Sequence, residues 1–171
     1  PQLIPPSGLS KLNPLGLSTL SIGSNSLFLL DLHVLFDVTG PRRIRHDEAV
    51  SLFQAERMSL CKLAISNEIR AELRRTATPG KLDPMEGFID ILPTVPLDKF
   101  DPSEALFKDL ALIVFPHKAV LTENDKSDLR HIVTAIQHSL AGFITNDGTV
   151  LEAGPLIKIK HGIEILSPTA F

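Results

Sequence analysis

The sequence predicts an α/β protein, a three-layer α/β/α sandwich around a central, mainly parallel sheet. Three observations predict it. Short, uninterrupted apolar runs suit strands buried on both faces, and amphipathic helical stretches alternate with those runs. The length of 171 residues allows one domain, or one domain plus an extension, to bury about 70% of its unfolded surface.

The first 26 residues have proline at three of the first six positions, then alternate Leu with Ser, Gly and Asn without a sustained period. They read as an N-terminal extension or linker, ahead of a domain over residues 27–171. A first residue that is proline and not methionine suits a piece of a longer chain. Leu27-Phe28-Leu29-Leu30 is the first buried strand, and Asp31 ends it. After the Gly40-Pro41 turn and the basic Arg42-Arg43-Ile44-Arg45, the stretch from Asp47 to about Leu60 spaces Val50, Phe53 and Met58 as a surface helix. Leu63-Ala64-Ile65 is a second strand, and Ser66 is placed to cap a helix running to about Arg75. Residues 79–102 are rich in Pro and Asp and read as an irregular connection, with Phe88 to Leu92 as a short strand. Ser103 to about Phe115 has helical spacing at Leu106, Leu110 and Ile113. Asp125-Lys126-Ser127-Asp128 opens the clearest helix, with Leu129, Ile132, Val133, Ile136 and Leu140 on its stripe. Gly142 ends that helix, Phe143-Ile144-Thr145 forms a third strand and Ile163 to Leu166 a fourth. Strands alternating with helices imply a parallel sheet covered on both faces.

Composition excludes several classes. With 43% hydrophobic and 22% charged residues, neither a disordered nor a collagen-like chain fits. The single cysteine, Cys61, reads as a core residue and closes no intrachain disulfide, which suits a reducing, cytoplasmic setting. The uncharged stretch from Leu12 to Leu30 contains Asn13, Pro14, Ser18, Thr19 and further polar residues, so it is no membrane span. A net charge of −3 without Trp or Tyr argues at first against a nucleic-acid partner.

In open parallel sheets ligands bind beyond the carboxyl ends of the strands, where Asp31 and Asp147 both fall. Taken singly, each aspartate can equally open a turn or cap a helix. Glu72 lies at the border of its helix's buried stripe, about 60° from Ile69. Glu68, one turn earlier, reads as its solvated neighbour. Asp125 and Asp128 form D-x-x-D at a helix start, and helix capping explains one of the two. The histidines read as surface or hydrogen-bonding residues: His131 and His138 stand seven apart, and no zinc-binding histidine pattern occurs. Phosphate-loop, dinucleotide and serine-hydrolase motifs are absent.

In their conjunction and order these segments resemble the PIN-domain nucleases: Phe28 to Leu35, Ile65 to Leu73, Asp125 to Ile132 with Ala135, Phe143 to Asp147, and the closing Ile163 to Pro168. The resemblance implies an acidic quartet of Asp31, Glu72, Asp128 and Asp147, with Thr145 and Asn146 in support. His33 departs from the pattern, since many members carry Asn there, and the region from Thr76 to Phe100 lies outside it.

What the resemblance implies is a Mg2+- or Mn2+-dependent ribonuclease. Converging carboxylates without fixed cations bind hard divalent ions through oxygen. Asp31 and Asp147 would be direct ligands, Asp128 a ligand or a positioner of water, and Glu72 a ligand through water. Arg42, Arg43 and Arg45 follow the first strand on the same rim, as RNA-backbone contacts or as a solvated loop. Two other classes stay open: a noncatalytic RNA-binding or protein-interaction module, and the toxin of a toxin-antitoxin pair held by an antitoxin-like partner. A homodimer or a fused further domain also suits the family. Assigning four of the 20 acidic residues to one pocket leaves 16 against 17 basic ones. The remainder is then +1, which is compatible with RNA.

Overall fold

A computed structural model describes residues 27–76, 84–97 and 104–171. The N-terminal extension and residues 77–83 and 98–103 lie outside the described residues. Five strands form one sheet, parallel throughout: β1 (Leu27–Leu30), β2 (Lys62–Ser66), β3 (Thr94–Val95), β4 (Gly142–Ile144) and β5 (Glu164–Leu166), in the order β3-β2-β1-β4-β5. The helices are α1 (Leu32–Thr39), α2 (His46–Arg57), α3 (Glu68–Thr76), α4 (Pro84–Asp90), α5 (Ala105–Val114), α6 (Glu123–Gln137) and α7 (Gly148–His161). Residues 168–170 close the chain with a 3-10 turn.

The sheet divides the core because alternate strand residues point to opposite faces. Leu29, Ala64 and Phe143 pack with residues of α5, α6 and α7 such as Leu110, Ile132 and Ile157. Phe28, Leu30, Leu63, Ile65 and Ile144 pack on the other face with residues of α1 to α4 such as Leu35, Leu52, Ile69 and Ile89. Both faces are covered, which is why the β1 run is continuously apolar. β1 is central, paired to β2 through Phe28 opposite Leu63 and to β4 through Leu29 opposite Phe143. The chain leaves β1 toward β2 and comes back on its other side as β4, so the sheet order reverses there and opens a crevice at the carboxyl ends of β1 and β4.

Four local expectations are corrected. Phe88 to Leu92 is not a strand: Pro84–Asp90 is a helix that buries Met85 and Ile89 one turn apart, and the strand follows at Thr94–Val95. The helix α6 starts before Asp125, at the Thr122 cap, and ends at Gln137. The chain then turns through Ser139 at φ 51°, while Gly142 begins β4. Glycine is required there for closeness, since a Cβ would stand 2.0 Å from the Glu164 carbonyl oxygen. On α5 the buried stripe is Phe107, Leu110 and Val114, with Leu106 and Ile113 only half-buried. Ser66 caps α3 from the last position of β2, its Oγ accepting the Glu68 N–H at 3.1 Å. Among the described residues no helix is long and apolar enough to cross a membrane.

Candidate functional site

Asp31 leaves β1 and caps α1 at the same time. Its Oδ1 accepts the His33 N–H at 3.2 Å, its Oδ2 accepts the Thr145 hydroxyl at 2.6 Å, and it is only 3% exposed. Burial pushes its carboxyl up, but hydrogen bonding from the His33 side chain and the Thr145 hydroxyl, with the charges of His131 and His33, outweighs it and holds Asp31 below the usual carboxylate range. Asp147 caps α7, its Oδ1 accepting the Val150 N–H at 3.0 Å, and is itself exposed. Thr145 connects the two: its Oγ1 donates to Asp31 and accepts the Asp147 N–H at 3.0 Å. Capping and rim placement are therefore not alternatives, because each cap leaves carboxylate lone pairs facing the crevice.

The D-x-x-D pair is divided between two tasks. Asp125 closes a capping box with Thr122 and pairs with Lys118 at 2.7 Å. One turn on, Asp128 has no such duty. Burial first, then the charge of Asp31, push its carboxyl up to about 7; His131 opposes them, and Asp147 and Glu72 add to the rise. The four carboxylates of the sequence-based quartet thus share one electrostatic environment. Among the described residues, none of Asp31, Asp128 and Asp147 forms an ion pair with Lys or Arg.

Beneath the quartet lies a group that sequence reasoning missed. His131, read only as a surface or hydrogen-bonding residue, is fully buried, stacked on Phe143 with ring centroids 5.1 Å apart. Its Nε2 lies 3.1 Å from Glu72 Oε2 and its Nδ1 2.8 Å from Ser66 Oγ. Burial pulls its pKa down, but the hydrogen bond and charge of Glu72, with Asp31 and Asp128, raise it above the ordinary histidine value. Both ring nitrogens are thus engaged, and the contact to Glu72 ties that carboxylate of α3 to α6. The available signal was its place three residues after Asp128, hence on the same helix face.

Glu68 is not the solvated neighbour of Glu72. It is 8% exposed, and its Oε1 accepts from Ser127 Oγ at 2.5 Å, Arg75 Nη2 at 3.0 Å and Arg130 Nη1 at 3.1 Å. Arg75 also donates to Ser127 Oγ. Burial raises its pKa, but Ser127, Arg75, Arg130 and His131 outweigh that and hold Glu68 below the usual range. Glu68 and Glu72 stand four residues apart, so both sit on the face of α3 that meets α6. Only Glu68 is neutralised by arginines; it anchors two helices, whereas Glu72 remains with the quartet.

A cleft of about 540 Å³ opens beside Asp147, walled by His33, Arg42, Ile44, Arg45 and Asn146. Arg43 donates from Nε to Asp37 Oδ1 at 2.6 Å and lies over the Phe36 ring, while Arg45 reaches the Asn146 carbonyl at 3.3 Å. Asn146 Nδ2 donates to Asp37 Oδ2 at 2.9 Å, and its Oδ1 is buried without a partner among the described residues. His33 Nδ1 stands 3.7 Å from Asp31 Oδ1, and its pKa is raised by that carboxylate despite some burial. Cys61 is buried in the core, away from this rim, and burial pushes its thiol up.

The donor chemistry fits a hard divalent cation: carboxylate oxygens from four elements, short of positive partners. Among the described residues, no three His, Cys, Asp or Glu side chains are drawn together as a ready ligand cage. Comparison with protein-family models, curated proteins and solved structures found no significant match.

Proposed function

We propose that this is a PIN-like, metal-dependent endoribonuclease, a phosphodiesterase that hydrolyses RNA in a cytoplasmic setting. The observation that carries the reading is Asp128: a carboxyl with no capping duty, raised to about 7 by its burial and by the other members of the quartet. Such crowding is unfavourable for a protein without a cation and suits one that binds it. Asp31 and Asp147 would hold Mg2+ or Mn2+ directly, Asp128 as a ligand or by orienting the attacking water, and Glu72 through water. The ion would supply charge neutralisation at the phosphate and a more acidic water. Thr145 keeps Asp31 and Asp147 in register, and His131 holds Glu72 from α6. Arg42 and Arg45 face the phosphate backbone, whereas Arg43 supports their loop through Asp37.

The test is cleavage of end-labelled RNA with Mn2+ or Mg2+. The wild type should give internal cuts that EDTA abolishes, and Asp31→Asn or Asp147→Asn should lower the rate at least a hundredfold, on the order of losing one essential ligand. Metal-dependent cleavage that survives both substitutions refutes the site. RNA binding without any turnover favours the noncatalytic module.

A further inference from the structure

We propose that the cleft beside Asp147 is a subsite for one unstacked nucleotide of a single-stranded nucleic acid, its phosphate on Arg42 and Arg45 and its base between Ile44 and the His33 ring. This deepens the nuclease reading and rests on it. The cleft shares Asp147 and His33 with the acidic crevice, so one strand can occupy both. Its volume of about 540 Å³ lies within the range of clefts that hold small ligands.

The three arginines are not equivalent. Arg43 is committed to Asp37 and the Phe36 ring, so its charge is already answered. Arg42 and Arg45 are exposed and pair with no carboxylate among the described residues. They provide the phosphate grip. Between them Ile44 is wholly exposed at 101%. A single exposed aliphatic residue is ordinary on a surface, but a phosphate grip alone gives it no role in a cleft wall. His33 lines the same cleft, its side chain 69% exposed and its ring edge packed on Phe36 at 6.3 Å and 78°. A planar ring, an apolar side chain and two cations lining one cleft match a base and its phosphate. Duplex bases remain stacked inside the helix and cannot enter, whereas unpaired bases can. An acidic peptide would use the arginines but not the apolar wall.

The test is fluorescence anisotropy of the full chain in EDTA, so that nothing is hydrolysed. The probes are a labelled mixed-sequence single strand, an abasic ribose-phosphate strand of equal length, a hairpin duplex and polyglutamate. The single strand should bind about tenfold or more tightly than the abasic strand and the duplex, the order of one lost base contact. Ile44→Ser should cost about tenfold for the base-bearing strand and nothing for the abasic one. Arg42→Ala with Arg45→Ala should weaken both strands and reduce the salt slope by about two. Equal affinity for abasic and base-bearing strands, equal affinity for the duplex, or indifference to Ile44→Ser overturns the subsite alone and leaves the cleavage test standing. Binding of no oligonucleotide, with or without binding of polyglutamate, overturns the subsite, and the cleavage assay in Mn2+ decides separately whether RNA is the substrate.

Discussion

Replacing Asp128 by Asn should make the metal-free protein more stable at alkaline pH. In the folded chain the carboxyl is raised from 3.8 to about 7, roughly three units, and each unit corresponds to about 1.36 kcal/mol. The sign follows from proton binding. Between pH 4 and 7 the folded state holds this proton more tightly than the unfolded one, so stability falls as pH rises through that window. The loss is complete above about pH 7 and amounts to about 4 kcal/mol at most. Asp128 is only half-buried, so solvent screening brings the expected gain to about 2–3 kcal/mol. Asparagine keeps the shape and never charges. Urea denaturation in EDTA, followed by far-UV circular dichroism, should show Asp128→Asn above wild type by that amount at pH 8 and equal to it near pH 4. Comparing the two proteins at each pH cancels the titration of groups they share. A variant no more stable than wild type at pH 8 refutes the crowding of carboxylates on which the nuclease reading depends. Added Mn2+ should then stabilise wild type through binding to the native state and stabilise the variant less.

Thr145→Val removes a donor to Asp31 and the acceptor of the Asp147 N–H; a loss of about 1–3 kcal/mol in urea denaturation is expected. Without that hydroxyl the Asp31 carboxyl should also titrate higher by NMR, so the stability that Asp31 contributes disappears at a less acid pH as pH falls. Glu68→Ala removes the carboxylate that Arg75 shares with Arg130, while Arg130 keeps Glu123 at 3.8 Å, and a loss of about 1.5–3 kcal/mol should appear in the same assay. His131→Phe fills similar space but frees Glu72, so Mn2+ affinity by calorimetry should fall about 10- to 100-fold. Unchanged affinity there denies His131 its positioning role.

The site was legible where it rests on local position. Asp31 and Asp147 follow apolar strand runs, and in a parallel sheet the residue after a strand stands on the carboxyl rim wherever else the chain goes. Asp128 was legible once capping accounted for Asp125, although the cap itself, Thr122, was overlooked. Glu68 was misread because its burial depends on Ser127 and Arg130, 59 and 62 residues away on α6. Apolar periodicity counts only apolar residues, so a face made of paired charges appears solvated. The same blindness hid His131, which is buried because Ser66 and Glu72 supply both its partners. β3 escaped notice at two residues, too short for any period to register. α7 lacks a clean stripe: Val150, Ala153, Gly154 and Ile157 are buried, Ile159 is exposed, and Pro155 lies inside the helix. Gly154 fits there because the helix lies close on Ile165, where a Cβ would approach to 3.2 Å.

Four carboxylates, two just beyond the ends of β1 and β4 and two on α3 and α6, are proposed to meet around a divalent cation. A crystal structure of the full chain grown or soaked with Mn2+, with anomalous data collected for manganese, tests this most directly. An anomalous peak is expected in the crevice within about 2.0–2.3 Å of oxygens from at least two of Asp31, Asp128 and Asp147, with Glu72 close enough to reach it through water. No peak at the ends of β1 and β4, or an Asp128 turned away from the other three, contradicts it.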